Sequence, residues 1–379
     1  RLGGLGDVYK RQVQDSGLWI SAQAAAELQV PEVREAFIEL LHDCGLRLTS
    51  LNGFPYGQFH EGAVKAEVYR PTWAEPQRLE YSLQLAHLLA AALPLDCQQG
   101  VISSVPFGYA ATWDEAQQQQ AETHLRQLTA ELASLHRSSG RKILVCLEME
   151  ADCVLENTDQ ALAFFKHWQA TDPHHGYLAL CFDVCHQAVV FEDCYQSLQR
   201  LLDARVPVGK IQLSNALICQ LPFADRPRRQ QVLQALGNFA EATYLHQVKA
   251  RDMAGQLLAW ADLPGALDAA EPAQGQCPEL RIHFHVPLFS EQFLLAELSG
   301  SQQALLRTFD FLAAHPNFQP VLEVETYSWN VLPGALRPDS EQALLQGIAA
   351  ELQWVEGQLR QRHLLRTHSS ALEAPAHAF

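Results

Sequence analysis

The chain has 379 residues, 48% of them hydrophobic and 18% charged. That apolar share can bury a large core, which excludes disorder as the main description. Its 27 lysines and arginines against 43 aspartates and glutamates leave a formal charge of −16, a balance that repels nucleic-acid phosphate and anionic lipid. Nine cysteines with no CxxC pair argue against a disulfide framework and for a reducing, cytoplasmic setting. No run of about 18 apolar residues occurs, so direct membrane insertion is not expected.

Residues 1–12 open on Arg1 and run through Asp7, Val8, Tyr9, Lys10 and Arg11. They read as a non-native leader and are set aside. Beyond them, short β-rich runs alternate with segments of helical periodicity. An amphipathic stretch at 30–41 precedes a run at 44–53. Helical patterns at 76–93 and 113–138 precede runs at 100–106 and 142–150. Patterns at 158–168 and 194–202 precede runs at 177–183 and 208–214. Further runs lie at 244–248, 280–286 and 321–327, before a last helix at 340–364. Residues 13–364 are expected to form one domain, with a mobile tail at 365–379.

Strands alternating with helices of this length imply βα units around a parallel sheet, and near-continuous apolar strands imply that both faces are covered. No Gly-rich GxGxxG or P-loop follows any of the strands, so the nucleotide-binding open sheets lose support. The expectation is an α/β fold, a TIM (β/α)8 barrel. Seven strands are counted between 47 and 327, counting 280–286 as one of them. The segment at 17–21 is short and close to its neighbour, so the first strand is expected to be missing. The 73 residues separating Gln212 from His285 exceed one βα unit, so a hairpin from 244–248 and 257–260 is expected there, inserted between strands 6 and 7.

Polar residues collect at the C-terminal ends of the strands: Asn52, Ser104, Glu148, Asp183, Gln212, His285 and Glu325. In a barrel those ends form the active-site face. Period-two alternation puts Glu148 with Glu150, His283 with His285, and Glu323 with Glu325 and Tyr327 on shared faces. Two glutamates, Asp183 and an imidazole at one mouth suit a divalent cation, which would offset their charge and polarise a carbonyl while the glutamates move a proton. The competing explanation is a set of rim salt bridges. His186, one turn after Asp183, faces the same site. His283 and His285, two apart on one strand face, could hold a metal or a substrate, or one could pack below and bond backbone; His285 lies nearer the mouth, and His246 is weighed beside them. The aromatic loop at 52–60 offers Asn52 and His60, and Trp329 could stack a ligand or pack in a core. Lys65 and Arg70 could meet an anionic group or simply face solvent. Cys146, Cys181 and Cys185 read as small buried hydrophobes.

The motifs LNGFPYG at 51–57, VYRPTW at 68–73, FDVCH at 182–186, KIQLS at 210–214, YLHQV at 244–248, HFHVP at 283–287 and LEVETY at 322–327 resemble, in matching order, the EboE family of metabolite traffic proteins. The strand-end residues resemble the metal site of the wider xylose isomerase-like superfamily, which includes sugar phosphate isomerases and epimerases. The resemblance implies a xylose isomerase-like barrel with a divalent ion (Mn, Zn, Fe or Co) on Glu148, Asp183, Gln212 and Glu325. Gln212 stands where the superfamily usually carries histidine, and His246 or His285 is the expected substitute. Glu148, Glu325 and His186 would be catalytic, with Asn52, His60, His186, His246, His285 and Trp329 around the substrate. The implied role is isomerase- or epimerase-type chemistry on a small polyhydroxylated or carbonyl metabolite within a secondary-metabolite precursor pathway, beside other ebo-pathway proteins and without nucleic acid. The alternative is a catalytically inactive metabolite-binding barrel serving a transport or pathway complex. An abasic-site nuclease is disfavoured by the charge.

Overall fold

A computed structural model describes residues 14–57, 65–222, 225–252, 254–270 and 278–365. The leader at 1–12, His60 and the tail from residue 366 lie outside the described residues. Six strands open the chain: β1 (Gln14–Trp19), β2 (Leu46–Asn52), β3 (Gln99–Ser104), β4 (Lys142–Glu148), β5 (Leu178–Asp183) and β6 (Val208–Leu213). Six more follow: β7 (Ala216–Gln220), β8 (Val248–Arg251), β9 (Leu257–Trp260), β10 (Glu279–His285), β11 (Gln292–Phe293) and β12 (Leu295–Gly300). The last is β13 (Val321–Val324).

β1 to β6 and β13 form one parallel sheet in the order β1-β2-β3-β4-β5-β6-β13, wrapped by the intervening helices. It is a near-closed TIM-type barrel of seven strands among the described residues. Alternation on each strand explains its two faces. Leu178, Leu180 and Phe182 of β5 point outward into the large core shared with the helices, while Ala179 and Cys181 join Val101, Leu144 and Cys146 in a small apolar plug inside. Above the plug the inward positions turn polar, and register aligns Asp183 of β5, Gln212 of β6 and Glu323 of β13 side by side. The helices start where the sequence signals them. Asp114 and Asn157 form capping boxes ahead of Glu115–Ser139 and Thr158–Thr171. Asp183 caps Val184–Val189 by accepting from the His186 N–H.

Two expectations are corrected. The first strand is present as β1, paired in parallel with β2; six residues suffice because its partner register runs along most of β2. Residues 279–285 are not a barrel strand. β10 lies in a second, antiparallel sheet ordered β11-β12-β7-β10-β8-β9, which has its own core around Leu217, Phe239, Phe284 and Trp329. The expected hairpin is displaced: residues 244–247 are not strand, and its first arm is β8 from Val248 to Arg251, paired with β9 at one edge of that larger insertion. The period-two pattern of 280–286 identified a strand correctly and could not say which sheet it joins, since a strand buried on both faces reads alike in either.

β13 returns to β1 through side chains. Glu323 pairs with the buried Lys210 at 2.7 Å, and a β-carbon on Gly17 would overlap the Glu323 carboxylate. Gly17 therefore makes room for an ion pair inside the barrel. Gly17→Ala is expected to push Glu323 off Lys210 and cost about 1–3 kcal/mol in urea unfolding, the usual range for overpacking. Gly57→Ala, whose β-carbon meets open space, is expected to leave the midpoint unchanged.

Candidate functional site

A cavity of about 300 Å³ opens at the C-terminal mouth of the barrel. Its floor carries Glu148, Glu150, His186, His283, His285, Glu323 and Glu325, and its walls include Trp19, Phe54, Tyr69, Tyr244 and Tyr327. Glu148 ends β4, Asp183 ends β5 and Glu325 follows β13, so three strand ends carry one acid each to the same point. Each offers a carboxylate oxygen within 4.8 Å of the other two. Burial and the neighbouring acids push the Glu148 carboxyl well above its ordinary range. Burial and Asp183 do the same for Glu325. The one ammonium beneath them among the described residues, Lys210, is committed to Glu323 and lies 3.3 Å from Ser103 Oγ.

Two of the acids, Glu148 and Asp183, each leave one oxygen uncommitted. Asp183 Oδ1 accepts from the His186 N–H and from Ser214 Oγ, both at 2.8 Å, while Oδ2 has no hydrogen-bond partner. Glu148 Oε2 is likewise without a partner. Asn52 Nδ2 donates to Glu325 Oε1 at 3.1 Å, and the Phe54 N–H fixes the other end of that amide. His285 Nδ1 donates to the Glu325 carbonyl at 2.8 Å, so its Nε2 lone pair is the free one, buried and without a partner. Asp183, His186 and His285 form a second group of donors within 4.8 Å. Burial drives His285 down to about 4, keeping it a neutral donor. Orphaned carboxylate oxygens beside an orphaned imidazole nitrogen, all buried, fit a divalent cation.

The other residues singled out from sequence fall differently. Gln212 is fully buried beside Asp183 with both amide atoms unpartnered, and it does not line the cavity. His246 is outside the cavity lining: its Nδ1 meets the His283 carbonyl and its Nε2 meets Glu241, both at 2.9 Å. Trp329 packs in the second core and donates to Glu351 at 3.1 Å. Lys65 lines the rim, but its ammonium is seated on two backbone carbonyls and on Asp262 at 2.8 Å, while Arg70 is exposed away from the lining. Cys146, Cys181 and Cys185 are buried, and burial pushes their thiols up, Cys146 to about 12. Sequence reading missed the Lys210–Glu323 pair, although both lie two residues before an expected ligand and so share its inward face. It also missed Gln247, which bonds Tyr69 and Glu150 and lies inside the 244–248 motif without having been singled out.

No family model and no curated protein matches this sequence. Among solved structures the chain is similar to a xylose isomerase-like TIM barrel protein from Mycobacterium smegmatis in complex with magnesium, at 13% identity over 87% of this chain and 79% of that one, with a TM-score of 0.45. It is similar to a xylose isomerase domain protein from Planctomyces limnophilus, at 12% identity over 94% and 100%, with a TM-score of 0.46. A third similarity is to the 3-keto-D-glucoside 4-epimerase of E. coli in its apo form, at 12% identity over 90% and 89%, with a TM-score of 0.41.

The role of His246 can be checked through its partner. Burial alone would raise the Glu241 carboxyl. Hydrogen bonds from His246 and from the N–H groups of Tyr244 and Thr243 outweigh that and hold it at about 2, below its ordinary 4.5. A depressed folded value stabilises above the unfolded one and is lost as pH falls through the folded one. Glu241→Gln is expected to lower the melting temperature by a few degrees at pH 7, with the gap to the parent protein closing by pH 2. A gap that persists unchanged at pH 2 would show that the carboxylate charge is not what matters there.

Proposed function

We propose that this barrel is a divalent-cation-dependent enzyme of the isomerase or epimerase type, acting on a small carbonyl or polyhydroxylated metabolite. The observation that carries it is the convergence of Glu148, Asp183 and Glu325 within 4.8 Å of one another, beside the cavity that Glu148 and Glu325 line, with one oxygen of Glu148 and one of Asp183 left without a partner. Glu148, Asp183 and Glu325 would hold the ion, His285 Nε2 lies within reach of the same group, and Gln212 is an adjacent neutral donor. When bound, the ion polarises a substrate carbonyl and acidifies the adjacent C–H.

The chain's own groups supply the rest. Glu148 and Glu325, on either side of the group, are the carboxylates placed to take a proton from carbon and return it. Asn52 orients Glu325, and Asp183 is fixed by its helix cap and Ser214. The aromatic walls limit the water that reaches the reacting carbon. The engaged rim lysine leaves no uncommitted ammonium in the described lining, which supports an unphosphorylated substrate. The role in precursor traffic, a cytoplasmic setting and partnership with other ebo-pathway proteins rest on the motif resemblance alone and belong to this proposal. No helix of the described residues is long and apolar enough to cross a membrane.

Protein stripped with chelator and reloaded with Mn²⁺ is expected to bind the ion, with Glu148→Gln losing one equivalent by elemental analysis. In D₂O, the loaded protein is expected to exchange C–H hydrogens of a susceptible ketose in an NMR survey of unphosphorylated sugars, with Glu148→Gln slower by roughly 10²–10⁴-fold. Protein that takes up no Mn²⁺, Zn²⁺, Fe²⁺ or Co²⁺ would overturn the reading in favour of a metabolite-binding barrel.

A further inference from the structure

The cavity at the barrel mouth has two chemically different halves. Its ionisable groups come from β4, β10 and the stretches just after β4 and β13: Glu148, Glu150, His283, His285 and Glu325. From β1, from the turn after β2 and from the loops above the mouth come Leu18, Trp19, Phe54, Pro55, Val68 and Leu245. The polar side-chain atoms that accompany this second half are already spent. Trp19 Nε1 donates to the Pro55 carbonyl at 2.8 Å. Asn52 Nδ2 donates to Glu325, and its Oδ1 takes the Phe54 N–H. Tyr69 Oη donates to Glu150 at 2.7 Å and accepts from Gln247 at 2.6 Å. The Lys65 ammonium sits on two carbonyls and Asp262. What this half offers a ligand is ring and aliphatic surface.

We propose that the substrate is amphipathic: a small hydroxycarbonyl compound that carries an apolar group of ring size, rather than a free sugar. This rests on the isomerase-type reading above and narrows its substrate class. That reading places a carbonyl and the carbon beside it at the acids, so the other half of the cavity decides what the rest of the molecule is. A hydroxyl set against Leu18, Phe54, Val68 and Leu245 would give up its water and find no side-chain partner in exchange, which is costly. A free sugar carries a hydroxyl on nearly every carbon and meets that cost along its far end. An apolar group gains there instead, in proportion to the surface it removes from water. The rings of Trp19 and Phe54 suit an aromatic group in particular, since aromatic pairs add an attraction beyond the area they bury.

The test is isothermal titration calorimetry of the full chain, with and without Mn²⁺, against unphosphorylated hydroxyketones that share one polar end: hydroxyacetone, dihydroxyacetone and 2-hydroxyacetophenone. The phenyl compound is expected to bind roughly 10–100-fold tighter than hydroxyacetone, and dihydroxyacetone no tighter than hydroxyacetone. Leu245→Asn puts an amide on the apolar wall at similar size and is expected to cut the phenyl preference about tenfold. Should that variant not melt cooperatively, Val68→Thr, which trades a methyl for a hydroxyl at almost constant volume, is read the same way. Dihydroxyacetone or D-fructose binding as tightly as 2-hydroxyacetophenone would overturn the proposal. So would a phenyl preference that both substitutions leave untouched, or no binding of the phenyl compound at millimolar concentration. Exchange of the hydroxyketone C–H in D₂O reports on the isomerase-type reading separately. A phenyl preference without exchange sinks the catalysis and keeps the ligand class; exchange without the preference does the reverse.

Discussion

Like charge brought together in a dry space is the constraint on which the rest of this molecule depends. Three carboxylates within 4.8 Å of one another repel by about 3–4 kcal/mol per pair at an effective dielectric near 20. Summed over the set, that approaches the whole stability of an ordinary domain. Lys210 relieves it only in part, since its ammonium is paired directly with Glu323 and the carboxyls of Glu148 and Glu325 stay raised. Protons or a bound cation must do so, and the raised carboxyls of Glu148 and Glu325 state the same fact in terms of pH.

What keeps the acids converged is a frame of hydrogen bonds that spends one oxygen of a residue and spares the other. Asp183 is the clearest case, because the same side chain ends a barrel strand, caps the next helix and leaves Oδ2 buried without a partner. The segment after β13 is clamped from behind. Glu351 of the last helix, Glu341–Gln361, accepts from Thr326 Oγ1, the Leu288 N–H and Trp329 Nε1. Trp329 in turn lies so close to Gly347 that a β-carbon there would press into its ring. Trp329 thus acts through packing, by steadying the stretch that carries Glu325 and Tyr327.

Much of this was legible in the sequence, and the reason is the period of two. It identified the barrel strands from 46 onward and singled out Glu148, Asp183 and Glu325 as strand-end acids. Helix boundaries were readable where a cap wrote them, as at Asp114 and Asn157. The sheet to which β10 belongs was not readable, because pairing between distant strands leaves no local trace. His246 illustrates the same limit. Its position in a β-like run made it look like a ligand, whereas its two nitrogens are spent on Glu241 and the His283 carbonyl. A histidine's role is decided by what faces both nitrogens, and sequence gives neither.

Gln212 shows how the second sheet alters the barrel. On an inward β6 position, an imidazole would stand beside Asp183 and two residues above the ammonium-bearing Lys210. The amide placed there is neutral and adds no titrating group to a wall that already carries Lys210 and Glu323. Imidazole donors enter instead from β10, whose antiparallel course along β7 and β8 ends at the mouth with His283 and His285. Both rings are anchored through Nδ1, His283 on Gln247 and His285 on the Glu325 carbonyl just after β13. The insertion after β6 therefore brings two imidazoles to the mouth where the β6 position carries an amide, which ties the larger second sheet to the lining of the pocket.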